Sequence, residues 1–189
     1  YSFVIGTGTQ INDDMTYPAP YGNYFWGAKH QLLVHSDELA AAGATPGFLT
    51  SLAFEIGQIY TNEPLIDFTI KMKQTTATQL ITGWDETELQ QVYYSPSYFN
   101  SLGWNIHQFD TPFIWDGVSN ILVDVCFNNS SWSSNQGTYF TPTTFSSVLH
   151  FAADADNVCS ASGTATSSVN RPNMMFIGME GEPQPPAPV

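Results

Sequence analysis

Asp67-Phe68-Thr69-Ile70-Lys71-Met72-Lys73 is the stretch that decides the fold. Phe68, Ile70 and Met72 alternate with Thr69, Lys71 and Lys73. In an extended chain the first set points into a core and the second away from it. Ser51-Leu52-Ala53-Phe54-Glu55-Ile56 repeats the pattern, with Leu52, Phe54 and Ile56 on one side. This is the half-buried signature of an antiparallel sheet. Residues 57–64, from Gly57 to Pro64, lie between the two runs and read as the loop of a hairpin. Asn120-Ile121-Leu122-Val123-Asp124-Val125-Cys126-Phe127 is more continuously apolar, as expected of a central strand covered on both faces.

Working outward, strand signals recur at residues 1–5, 28–35, 89–94, 104–109, 147–152 and 173–178, separated by Gly, Pro and Asn. They predict an all-β fold, a jelly-roll-like antiparallel β-sandwich of about nine strands. One helix interrupts it. Ser36 stands as N-cap, Asp37 and Glu38 fill the first turn, and Gly43 closes a helix of a turn or two. Residues 1–180 form one predicted domain. The proline-dense 181–189 reads as an extended linker to a following domain. Hydrophobic residues make up 42% of the chain, enough for a core. No apolar run approaches the roughly 18 to 20 residues that span a bilayer, so no membrane insertion is expected. The chain opens on a strand pattern, which places any signal peptide upstream.

Four cations (Lys29, Lys71, Lys73 and Arg171) face 17 acids, for a net charge of −13. Such a surface repels phosphate backbones and anionic lipid, which argues against nucleic acid as a partner. It suits Ca²⁺, a hard cation with a preference for oxygen ligands, as the candidate cofactor. Cys126 and Cys159 are 33 positions apart, and neither CxxC nor HExxH occurs. Two cysteines cannot make a four-ligand zinc site, so a disulfide is the simplest reading. Such a bridge contributes about 3 to 4 kcal/mol and points to an oxidising, extracellular compartment.

Several segments together resemble a β-sandwich domain of large secreted and cell-surface proteins of Bacteroidetes. They are Tyr24-Phe25-Trp26-Gly27-Ala28-Lys29-His30-Gln31, Asp37-Glu38-Leu39 with Ala42-Gly43, Phe68-Thr69-Ile70-Lys71-Met72 and Gly103-Trp104-Asn105. The series continues with Phe113-Ile114-Trp115-Asp116-Gly117, Asn120-Ile121-Leu122-Val123, Cys126-Phe127-Asn128-Asn129 and Asn170-Arg171-Pro172-Asn173. The likeness lies in the order and spacing of these segments over most of residues 20–178. It implies a bacterial surface or exported protein of many domains, often secreted by the type IX route. Adhesins, gliding-surface proteins and polysaccharide-handling enzymes with accessory modules are of this kind. It implies a location and an architecture, with no catalytic motif to carry over.

Two aromatic clusters are candidate ligand sites. Tyr21, Tyr24 and Trp26 lie in a proline-rich loop, and Trp132, Asn135 and Tyr139 follow Cys126. Exposed rings stack on the apolar faces of sugars while Asn or Asp bonds the hydroxyls. The same rings could instead close the open ends of the core. Asp154, Asp156 and Asn157 form an oxygen-rich turn beside Cys159 and are the first candidate Ca²⁺ ligands. Asp13 and Asp14 are the second. Turn-forming Asp and Asn also occur without metal. His30, His35, His107 and His150 lack ligand spacing. Arg171 is expected to pair with a buried acid such as Asp116 or Asp124.

The function these features suggest is a non-catalytic, extracellular binding and adhesion module. Its partners would be a glycan or cell-surface polymer and the neighbouring domains of the same chain. A structural spacer or filament subunit is the alternative, and a polysaccharide-degrading domain a third.

Overall fold

The computed structural model describes residues 1–180; the expected linker at 181–189 lies outside the described residues. The chain folds as an all-β sandwich of two antiparallel sheets. Its strands are β1 (Ser2–Ile5), β2 (Gln10–Ile11), β3 (Gly27–Val34), β4 (Gly47–Gln58), β5 (Leu65–Thr75), β6 (Gln90–Tyr98), β7 (Gly103–Trp115), β8 (Asn120–Asn128), β9 (Gly137–Pro142), β10 (Val148–Ala153), β11 (Thr166–Ser168), β12 (Asn170–Pro172) and β13 (Met174–Gly178). A helix, α1 (Ser36–Ala41), follows β3. One sheet runs β1-β13-β4-β9-β12, with β2 added on β9 and β7 on β4; the other runs β11-β10-β3-β8-β5-β6. Among the described residues, thirteen strands thus replace the nine expected. The additions β2, β9, β11 and β12 have two to six residues, too few to show a period-two pattern in sequence.

The alternating residues do what their pattern predicts. Leu52, Phe54 and Ile56 on β4 and Phe68, Ile70 and Met72 on β5 are buried in one core between the sheets. β8 is buried from Ile121 to Phe127. It lies between β3 and β5 in the six-stranded sheet. Its odd-numbered residues face the main core, while Leu122 joins Leu33, Leu80 and Leu149 in a second cluster on the outer face. Residues 76–89 cross that outer face without regular structure and so cover it. Among the described residues, no helix is long and apolar enough to cross a membrane.

Three expectations need correction. β4 and β5 are not a hairpin: they belong to different sheets, and residues 59–64 carry the chain across the sandwich. Periodicity gives each strand a buried face but does not say which sheet it joins. The N-cap of α1 is His35 rather than Ser36, and Glu38 Oε2 accepts the His35 N–H at 2.9 Å. Arg171 pairs with neither Asp116 nor Asp124. Its Nη2 donates to Glu38 Oε1 at 2.6 Å, and its Nη1 to Glu38 Oε2 at 3.0 Å and to the Leu33 carbonyl at 2.7 Å. The buried guanidinium thereby fastens α1 to the strands beneath it.

Candidate functional site

Two loops meet at one end of the sandwich, and two buried asparagines join them. Asn23 Nδ2 donates to the Trp26 and Ser131 carbonyls, both at 3.0 Å, and Asn23 Oδ1 accepts from Ser133 Oγ at 2.6 Å. Asn135 Oδ1 accepts the Tyr24 N–H, and its Nδ2 donates to the Thr16 carbonyl, each at 2.9 Å. A third segment is brought in covalently. Cys126 on β8 and Cys159 form the expected disulfide, and Asn128 Oδ1 accepts the Cys159 N–H at 2.9 Å. Gly27 allows the close approach: a Cβ there would lie 2.7 Å from Val158 Cγ2. The acidic turn before Cys159 is thereby held beside the start of β3, where the Trp26 N–H donates to Asp154 Oδ1 at 3.4 Å.

The three segments enclose an open recess of about 270 Å³ lined by Tyr24, Phe25, Trp132 and Asp154. Tyr24 meets both other rings edge-on, Phe25 at 5.4 Å and Trp132 at 6.5 Å between centroids. Trp132 is 67% exposed and Phe25 37%. Water-exposed indole on a loop fixed by buried asparagines is a preformed stacking surface. Nearby histidines add no positive charge. His30 is wholly buried and its Nε2 accepts the Ala19 N–H at 2.9 Å. Burial first, and His150 second, hold the His30 pKa well below the ordinary imidazole value. The formal charge of the recess therefore comes from Asp154.

The structure sorts the residues singled out in sequence. Tyr24 and Trp132 come together, with Asp154, which was expected as a metal ligand. Trp26 is half-buried and contributes its amide. Tyr21 and Asn135 are corrections: both are wholly buried and present no surface to a ligand. Tyr21 is a core ring whose hydroxyl bonds His107 Nε2 at 2.7 Å, and Asn135 ties the loops. Tyr139 also moves. It lies on β9 in the other sheet, against Gly57, and lines a separate recess with Trp104 and Glu55. The disulfide end of the molecule therefore carries Trp132 but not Tyr139. Phe25 was not singled out. It sits in the Tyr24-Phe25-Trp26 run, but loop backbone has no fixed period to say which ring faces out.

The expected Ca²⁺ ligands do not converge. Among the described residues, no group of three or more His, Cys, Asp or Glu side chains is arranged to hold a metal. Asp13 Oδ1 accepts the Met15 and Thr16 N–H groups, both at 2.9 Å, and so closes a turn. Asp156 and Asn157 are exposed on their turn. A larger recess, about 490 Å³, lies over α1 and β12, but its Arg171 and Glu38 are already bonded to each other. Asp116 likewise accepts from Val118, Ser119 N–H and Ser119 Oγ in its own turn.

Fold and site together define an antiparallel β-sandwich with a preformed aromatic recess at one loop end. Comparison with protein-family models, with curated proteins and with solved structures finds no match.

Proposed function

We propose that this chain is a non-catalytic extracellular module that binds a glycan in the Tyr24–Phe25–Trp132 recess. The observation that carries this reading is the exposed Trp132 indole beside the Asp154 carboxylate. A pyranose ring stacks its C–H face on an indole, and a carboxylate at the edge accepts its hydroxyl protons. The disulfide supports the extracellular setting. One carboxylate is a poor cation site, so recognition rests on the rings and on Asp154. Chelation by EGTA is expected to leave binding unchanged.

The test is a glycan array probed with the wild type and Trp132→Ala. Binding that falls at least tenfold in a variant with unchanged far-UV circular dichroism supports the reading. No bound glycan, or binding indifferent to Trp132, Tyr24 and Asp154 substitutions, overturns it. A spacer role is the second reading, favoured by the exposed cross-strand neighbours Phe48 and Ile114 on the outer face of the seven-stranded sheet. Such apolar pairs suit contact with an adjoining domain.

A further inference from the structure

On the outer face of the six-stranded sheet an amine and a carboxyl are enclosed side by side. Lys29 on β3 and Asp124 on β8 are each 2% exposed. Lys29 pairs with Cys126 and Gln31 with Asp124, so Lys29 and Asp124 are diagonal neighbours on one face. Lys29 Nζ stands 3.7 Å from Asp124 Oδ2, close but beyond hydrogen-bond range. Asp124 Oδ2 accepts instead from Gln31 Nε2 at 2.9 Å. Lys29 Nζ donates to Glu86 Oε1 and lies 5.0 Å from the centre of the Trp84 ring. Trp84 and Glu86 both belong to the 76–89 segment that closes over this face. Glu86 differs from the other two groups in that its side chain is 54% exposed.

The three groups have complementary settings. Two charges without a water shell are costly to keep, and a neutral product relieves that cost. Burial raises the Asp124 pKa, more than the Lys29 charge and the Gln31 bond lower it, which favours the acid form. A carboxylic acid is an acceptor for an amine; a carboxylate is not. Glu86 touches the amine and reaches solvent, so it can carry protons between the two. We propose that Lys29 and Asp124 join in an intramolecular amide, with Glu86 as the proton carrier. Lys29 Nζ first passes a proton to Glu86. The free amine attacks Asp124 Cγ, and the Oδ2 oxyanion is held by Gln31 Nε2. Glu86 then protonates the departing Oδ1 hydroxyl, which leaves as water. It next takes the remaining surplus proton from nitrogen and releases it to solvent, returning the proton that Asp124 had taken up. One C–N bond forms, one C–O bond breaks, and nothing is oxidised or reduced. Fixed juxtaposition supplies the effective concentration that a free amine and acid lack.

The product would tie β3 to β8 at the centre of the sheet. Cys126 lies directly across from Lys29, so the amide and the disulfide would clamp β8 on the same face. This inference is independent of glycan binding.

Intact mass spectrometry of the folded, then denatured, wild type decides it. After reduction and alkylation, the expected mass is lower by one water molecule than the sequence requires. Trypsin should fail to cut after Lys29 and should release residues 1–71 joined to residues 74–189, because Arg171 precedes a proline and is not cut. Lys29→Met should carry its full sequence mass, and so should Glu86→Gln. A wild type at full mass with clean cleavage after Lys29 overturns the proposal, as does a water deficit that maps elsewhere. Because the deciding mass is that of the wild type, a variant that folds poorly does not blur the outcome. A Glu86→Gln protein that still lacks one water would remove Glu86 from the mechanism.

Discussion

His107 shows how much one buried polar side chain controls. It is wholly buried, with Nε2 bonded to the Tyr21 hydroxyl and no partner for Nδ1. Phe68, Tyr93 and Tyr98 surround it, with ring centroids 4.6 to 4.9 Å away. Burial alone lowers its pKa to about 3, and His30 is lowered by burial and by His150. Both rings stay neutral in the folded state while the unfolded chain takes up protons near the ordinary value of 6.5. The unfolded state therefore binds more protons, and stability falls as the pH drops from about 6.5 towards 3. His107 contributes a slope of about 1.4 kcal/mol per pH unit within that window, and His30 adds to the loss in the same direction. Urea unfolding from pH 7 to pH 5 should show the loss, and His107→Gln should make it shallower; an equal slope in the variant would contradict this account. Arg171 is a second residue-scale case. Exchange for Lys keeps the charge but gives up the two-pronged contact with Glu38. A cost of about 2 kcal/mol in unfolding free energy is expected. An unchanged midpoint would mean that the pair adds nothing. The sequence suggests an acid as the partner of Arg171, and the partner is an acid, but the Glu38 side chain is 30% exposed rather than buried. The sequence could not point to Glu38, because that pairing depends on where α1 docks, which no local pattern encodes.

Among the elements, the segment at 76–89 and the disulfide turn do the most to shape the outer face. The first has no strand or helix period, so its role was invisible in sequence. Its hold on the sheet comes from scattered contacts: Leu80 in the second cluster, Asp85 with Lys73 at 2.9 Å, and the Gln31 Nε2 donation to the Asp85 carbonyl at 2.7 Å. The long strands, by contrast, were legible, since β4, β5 and β8 announce their buried faces by alternation or by a continuous apolar run. Their partners were not, and that is why the crossing from β4 to β5 passed for a hairpin. The disulfide was legible by elimination, and its surroundings give it a further purpose. Converting Cys126 and Cys159 together to Ser should lower unfolding free energy by about 3 kcal/mol. It should also weaken glycan binding, because Asp154 would lose its anchor near Trp132. Loss of stability with unaltered affinity would separate the turn from the recess. An unchanged denaturation midpoint would mean that the disulfide is not among the main stabilising contacts.

For the molecule as a whole, the distribution of charge decides which glycans can approach. The net charge of −13 understates the bias at the surface. Of the four cations, Lys29, Lys73 and Arg171 are already paired with Glu86, Asp85 and Glu38. What remains to face a ligand is a field of mostly uncompensated carboxylates, and Asp154 adds one more at the rim of the recess. Stacking on Trp132 is indifferent to the sugar's charge, so discrimination falls to electrostatics. A uronic-acid or sulfated polymer would bring further negative charge beside Asp154 without a guanidinium to receive it. The recess should therefore select neutral hexose or pentose polymers. Acidic polymers should bind weakly at low ionic strength, with some recovery as salt shortens the screening length to about 10 Å at 0.1 M. Neutral ligands should show little salt dependence, since no counterions are released on binding. Asp154→Asn offers the sharper comparison: it keeps a hydrogen-bonding oxygen, removes the charge, and should raise the binding of acidic polymers relative to neutral ones. If the wild type prefers sulfated or uronic polymers at low salt, the recess at Trp132 is not where they bind, and a cation-lined surface elsewhere on the protein would have to be sought.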